Sequence, residues 1–194
     1  MKKIFIVAIV LIMVFNFYCN ITHQGDQRTP YSEFKTRIDM APMKEYQDPD
    51  FGYVIKYPCF FQKEDTSLND YQGYARFSFN DHVNVILESY VTMNHSSNLE
   101  ACADSLAREL HAGKTMLSSS STHAQDKKSK DSAFILSGPV YENGVRIDGY
   151  SHYDKFIKSG RMLFVYSLTY PDSYKPAMPR LFKLIEDWRV LGAY

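Results

Sequence analysis

The residues best spaced for chemistry lie at alternate positions of one stretch, namely Arg146, Asp148, Tyr150, His152 and Asp154. Alternate residues of a β-strand share a face, so a strand here would align these side chains. Imidazole and carboxylate groups bind divalent metals and act as general acids or bases. The stretch is therefore a weak candidate for a hydrolase or metal-assisted site, or for a surface that binds a polar ligand. The same pattern is typical of the solvated face of an antiparallel strand, and we favour that interpretation.

The sequence contains no stronger catalytic or metal-binding motif. No two of the six histidines are two or four residues apart, and no cysteines have the spacing of zinc ligands. Ser151 and His152 are residue types of a serine hydrolase, but neighbours on a strand point to opposite faces. A G-x-S-x-G elbow and a glycine-rich phosphate loop are both lacking. We therefore predict no catalytic residues, no resident metal and no cofactor, and we lean towards a protein that is not an enzyme.

The charge balance argues against nucleic acid as a partner. The chain has 22 basic and 22 acidic residues, so its formal net charge is zero. A protein that binds nucleic acid needs an excess of basic side chains to neutralise phosphates.

The N-terminal residues 1–19 are typical of an export signal. Two lysines precede an apolar run over residues 4–15, and Cys19 follows shortly afterwards. We predict a bacterial lipoprotein signal with lipid attached to Cys19, although Tyr18 is larger than the residue usual before such a cysteine. Cleavage at a different site and an uncleaved anchor remain open as alternatives. All three place the domain outside the cytoplasm. With the lipid on Cys19 we predict a bacterial cell-envelope protein that is anchored to the membrane and faces the periplasm or the cell surface.

Two further expectations concern the chain after Cys19. Residues 20–48 are polar and read as a tether with one short helix near 31–38, so the folded domain would span 49–194. Export would permit a disulfide between Cys59 and Cys102. We favour two separate buried thiols, because spacing in the sequence does not establish proximity.

Within the domain, alternating apolar residues and turn residues predict six strands and two helices. Ser97 to Glu100 form a capping box at the start of the first helix, and Gly113 would end it. Residues 117–131 read as a solvated loop. The expected strands are 51–57, 73–80, 83–92, 132–141, 145–157 and 162–170, and the closing helix is 174–189. This order predicts an α+β fold, with a largely antiparallel sheet of about six strands and helices packed on its faces.

Three segments resemble the PsbP-like superfamily. The opening strand Gly52–Pro58 ends in Tyr-Pro, the strand Leu163–Pro171 ends the same way, and a closing helix follows over 174–188. The sequence departs from the family in having Phe60-Phe61 where a tryptophan is common, and Trp188 where the helix usually ends in Ser-Phe. The resemblance covers about residues 48–191. It implies an antiparallel sheet between helices that serves as a binding or assembly module, and it supplies no catalytic residues.

The first hypothesis for function is therefore an envelope lipoprotein whose domain binds a protein partner or helps to assemble a complex. The second is an enzyme that uses the strand of Asp148, His152 and Asp154. The third is a carrier of a small ligand or lipid in the aromatic-rich interior.

Overall fold

The computed structural model describes five stretches of the chain: residues 30–65, 71–80, 84–94, 98–117 and 132–190. The expected export signal with Cys19, and residues 20–29 of the expected tether, lie outside these stretches. Among the helices of the described residues, none is both long enough and apolar enough to cross a bilayer.

A seven-stranded antiparallel sheet forms the centre of the molecule. Its strands are β3 (Gln62–Lys63), β4 (Gln72–Asn80), β5 (Asn84–Met93), β6 (Gly113–Leu117), β7 (Ser132–Glu142), β8 (Val145–Ser159) and β9 (Met162–Pro171). Their order across the sheet is β3-β4-β5-β9-β8-β7-β6. A separate two-stranded sheet pairs β1 (Met43–Gln47) with β2 (Val54–Pro58). The α+β class with an antiparallel sheet is confirmed.

Tight turns connect the long strands as the sequence predicts. Asn143 and Gly144 both have positive φ, at 51° and 78°, between β7 and β8. Asn-Gly adopts this conformation at little cost, which is why the pair favours a two-residue hairpin. Gly160, with φ of 57°, turns the chain from β8 into β9.

One face of the large sheet, which we call the hairpin face, is covered by helix α1 (Pro30–Met40), the β1–β2 hairpin and the closing helix α3 (Pro179–Asp187). Phe34 and Ile38 of α1 are buried in the main hydrophobic core. Their aromatic and aliphatic side chains lie four residues apart, on one side of a helix. The structure thus places residues 30–48 in the folded domain, which corrects the tether expected over 20–48.

The opposite face, which we call the α2 face, carries helix α2 (Leu99–Glu109) and a second, smaller core that includes Cys102 and Ala103. Asn98 caps the helix, because its side chain accepts a hydrogen bond from the Glu100 amide. The expected capping residue, Ser97, lies outside the described residues. Gly113 does not end the helix as expected, because it already belongs to β6.

The closing helix begins later than its apolar stripe predicts. Residues Asp172–Ala177 form a 3₁₀ helix, and the α-helix starts at Pro179. Proline has no amide hydrogen to donate, so it suits the first position of a helix better than its interior. Leu181 and Ile185 are buried against the hairpin face, as the stripe predicts.

Candidate functional site

A groove of about 640 Å³ runs between the β1–β2 hairpin and helix α3. Its lining combines apolar side chains in the floor with charged side chains along the sides. The apolar lining residues are Met43, Val54, Tyr166, Leu184 and Trp188. The floor is close-packed, since Tyr166 is fully buried and Trp188 is only 7% exposed.

Beneath the groove, two side chains donate hydrogen bonds to the edge of β2 that does not pair with β1. The residues of β2 alternate between pairing with β1 and directing their backbone groups away from it. The Val54 carbonyl, which faces away, accepts a hydrogen bond of 2.8 Å from Trp188 Nε1. The Lys56 carbonyl accepts one of 2.6 Å from the Tyr166 hydroxyl. These bonds join the hairpin to α3 and β9, so the floor of the groove is held rigidly.

A buried lysine fixes the end of α3 that carries Trp188. Lys155 Nζ lies 2.6 Å from the Glu186 carbonyl and 2.7 Å from the Trp188 carbonyl, and it donates to both. Burial, together with a smaller effect of the nearby Arg189, lowers the pKa of Lys155 to about 8. The last carbonyls of a helix lack partners within the helix, so a donor here stabilises its end.

The charged lining of the groove is basic. Four cationic residues stand against two acidic ones, a net charge of +2, and the six are Lys56, Arg180, Lys183, Arg189, Glu45 and Asp187. The two lysines are paired, Lys56 with Glu45 at 3.4 Å and Lys183 with Asp187 at 2.6 Å. Within the described part of the chain, neither arginine forms a salt bridge.

In each of the two arginines, one guanidinium nitrogen donates hydrogen bonds to backbone carbonyls. Arg180 Nη1 donates to the carbonyls of Ile38 and Asp39 at the end of α1. Arg189 Nη1 donates to the carbonyls at the end of α3. A guanidinium group has five N–H donors, so each arginine keeps further donors for an acidic ligand.

The five alternating residues of β8 do not form one stripe. Arg146 and Asp148 lie close together and exposed, with 3.8 Å between Nε and Oδ1, whereas His152 and Asp154 are buried. The register between β7 and β8 shifts between Pro139 and Tyr141, and Gly149 has φ of 79°. An irregularity of this kind re-aims the side chains that follow it. The expectation of a solvated face is therefore wrong for His152 and Asp154, and Tyr150 is half-buried.

His152 and Asp154 form a buried polar cluster with Ser167 on the α2 face. Asp154 accepts from Ser167 Oγ at 2.5 Å, and its other oxygen lies 2.6 Å from His152 Nδ1. The carboxylate thus lies between the serine and the histidine, so the imidazole does not contact Ser167 and cannot take its proton. Ser151 points to the other face and donates to Asp172 at 2.5 Å, as alternation predicts. This arrangement is not that of a serine hydrolase.

The cluster also falls short of a metal site. Among the described residues, no three histidine, cysteine or acidic side chains are grouped so that they could hold a metal ion. Within the stretches of chain that the structure describes, His152 Nε2 is buried without a hydrogen-bond partner. The candidate site residues on β8 therefore form an exposed pair and a buried cluster, and neither of these lines the groove.

Cys59 and Cys102 are both free, so the disulfide considered from the sequence is not formed. Cys59 directly follows β2 on the hairpin face, whereas Cys102 lies in the core of the α2 face. The sheet separates the two thiols. Burial raises the pKa of the Cys102 thiol.

Sequence reasoning missed the groove because two of its eleven lining residues come from the stretch assigned to a tether. Met43 and Glu45 belong to β1, which was not predicted. Trp188 was expected only as part of an apolar stripe. A signal was present in the closing helix, where Arg180 and Lys183 lie three residues apart and hence on one side, beside the buried stripe.

Comparison with known proteins gives a likeness of fold. Searches of family models and of curated proteins return no match. Among solved structures, the chain is similar to the solution structure of cyanobacterial PsbP (CyanoP) from Synechocystis sp. PCC 6803, with 14% identity and a TM-score of 0.49. The match covers 78% of this chain and 94% of that one.

Proposed function

We propose that this protein is a non-enzymatic binding module, held at the outer side of a bacterial membrane, that docks a protein partner in the groove between the hairpin and α3. The observation that carries the proposal is the groove itself, which places apolar side chains beside two arginines that lack a carboxylate partner among the described residues. Protein-binding surfaces are enriched in tryptophan, tyrosine and arginine, and all three occur here.

The rigidity of the groove supports binding. A surface that is already ordered loses little conformational entropy when a partner docks. Trp188 and Tyr166 each donate to the backbone of β2, so their side chains are held in place before any partner arrives.

The proposed anchor would keep the domain near the membrane. Ten residues, 20–29, separate Cys19 from the start of α1 at Pro30. A chain of that length reaches about 35 Å at most. A lipid on Cys19 would therefore hold the domain close to the bilayer, where partners in the same membrane are concentrated.

The proposal is tested with the full-length protein in its native membrane. A photo-crosslinking amino acid replaces Lys183, beside the groove, and in a matched control it replaces Val145, which is exposed at the far hairpin. We expect a discrete cross-linked protein from the Lys183 position only, and a lipid mass on Cys19. Loss of the cross-link in Cys19→Ala would show that the anchor matters for docking. Equal or absent cross-linking at the two positions would contradict a partner in the groove.

A further inference from the structure

The spacing of the two arginines sets a length for the ligand. Arg180 lies in the first turn of α3 and Arg189 lies just beyond its last residue. The helix rises about 10 Å over the seven residues from Arg180 to Asp187, and the chain continues through the extended Trp188 to Arg189, so the two positions lie on the order of 13 Å apart. An extended peptide advances about 3.3 Å per residue, so it covers this distance in about four residues.

The remaining donors of the arginines suit carboxylates. A guanidinium and a carboxylate form two parallel hydrogen bonds, and this geometry is more selective than a contact with lysine. One nitrogen of each arginine is held on backbone carbonyls, so the side chain is partly oriented before a ligand arrives. Lys56 and Lys183 are already paired with acidic residues and compete less for the ligand.

The groove that both arginines line also has apolar lining residues. Val54, Leu184 and Trp188 are among them, and Leu184 and Trp188 lie between the two arginines in the sequence. An apolar or aromatic side chain placed midway between two carboxylates would contact these residues and be removed from water.

We infer that the groove binds an extended segment of the partner with two acidic residues four positions apart and an apolar residue between them. One carboxylate binds Arg180, the other binds Arg189, and the central side chain packs against Trp188. This inference rests on the proposed function and names the chemistry of its partner.

The same charges favour a peptide over an anionic bilayer. Glu45 and Asp187 also line the groove, and their side chains are 63% and 58% exposed. A flat anionic surface would meet both carboxylates together with the basic side chains, and the carboxylates would weaken its attraction to the groove. An extended peptide can place its acidic residues on the arginines alone.

The inference is tested by peptide binding to the full-length, detergent-extracted protein, measured by the fluorescence of its single tryptophan, Trp188. The probe peptide has Glu at positions one and five and Phe at position three. Matched peptides carry the two Glu residues two positions apart, or Lys in place of Glu. We expect the probe to bind at least about tenfold more tightly than either control, since each lost charge-assisted hydrogen bond weakens binding by about that factor.

Variants of the protein test whether Arg180 and Arg189 contact the probe peptide. Arg180→Gln and Arg189→Gln should each weaken the probe about tenfold or more. Arg146→Gln, an exposed arginine on the far strand, should leave binding unchanged. Arg180→Lys and Arg189→Lys keep the positive charge and should recover part of the affinity, and circular dichroism checks that every variant is folded.

Three results would overturn the inference. One is equal affinity for the two spacings of Glu. Another is arginine-dependent binding to vesicles of anionic lipid in place of the peptide. The third is an undiminished cross-link from position 183 when Arg180→Gln and Arg189→Gln are combined. That last result would leave the proposed docking groove in place while removing its acidic ligand, so the two proposals fail separately.

Discussion

Replacing Lys155 by methionine tests whether a buried amine sets the stability of the end of α3. The side chain is fully buried, at 0% exposed, and Nζ donates to the carbonyls of Glu186 and Trp188. Burial is the largest cause of the fall in its pKa from 10.5 to about 8. The folded protein therefore releases this proton above pH 8, whereas the unfolded chain keeps it up to about pH 10.5.

The direction of the pH effect follows from proton binding. Between about pH 8 and 10.5 the unfolded state binds more protons, so the free energy of unfolding rises with pH across that window. A difference of about 2.5 pH units corresponds to about 3 kcal/mol at 1.36 kcal/mol per unit. A neutral amine still has two N–H groups, so Lys155 keeps both hydrogen bonds after it loses its charge. Methionine neither titrates nor donates.

We therefore subtract the free energy of unfolding of Lys155→Met from that of the unchanged protein, and expect this difference to grow by about 2–3 kcal/mol between pH 7 and pH 10. The assay is urea unfolding followed by Trp188 fluorescence at each pH. Lys183→Met is the control, because the Lys183 side chain is 68% exposed. The free energy of unfolding of the unchanged protein minus that of Lys183→Met should not change with pH. If the difference in free energy of unfolding between the unchanged protein and Lys155→Met stays constant or falls with pH, burial does not lower the pKa of this amine and the reasoning is refuted.

Three further predictions concern hydrogen bonding, backbone conformation and thiol reactivity. Tyr166→Phe removes the donor to the β2 carbonyl beneath the groove and should lower the free energy of unfolding by about 1–3 kcal/mol, measured by urea unfolding. Gly144→Ala should cost about 1 kcal/mol, because φ is positive but the site is open. Gly73→Ala should cost more in the same assay, because a Cβ there would lie 2.9 Å from a phenylalanine ring; equal costs would contradict this. Ellman's reagent should label Cys59 before Cys102, whose thiol is buried, and no labelling of either would point to the disulfide.

The strands and hairpins of the large sheet follow closely from local pattern. Strands β7, β8 and β9 begin and end within about two residues of the expected bounds. Their turns contain Asn143-Gly144 and Gly160, whose positive φ values are the conformations that these residues tolerate best. The fold class and the resemblance to PsbP-like proteins depend on this order of elements.

The sequence predicts a short helix near 31–38, which α1 matches, but not its packing in the domain, because the helix is only weakly amphipathic. Helix α1 reads as polar, yet Phe34 is 2% exposed and Ile38 is fully buried. Two apolar residues suffice to dock a short helix when the sheet offers an apolar surface. That surface is built by strands far along the chain, so the pattern within α1 cannot indicate it.

What the sequence determined by itself is local: an apolar N-terminal segment, the long strands in their order along the chain, the hairpin turns and the apolar stripe of the closing helix. These depend on neighbouring residues, whose periodicity is visible in the chain. Tertiary structure alone decided the groove, since Trp188 reaches the carbonyl of Val54 across 134 residues of sequence. It also decided which residues of β8 are buried, because a single irregularity at Gly149 ends the alternation from which a face is predicted.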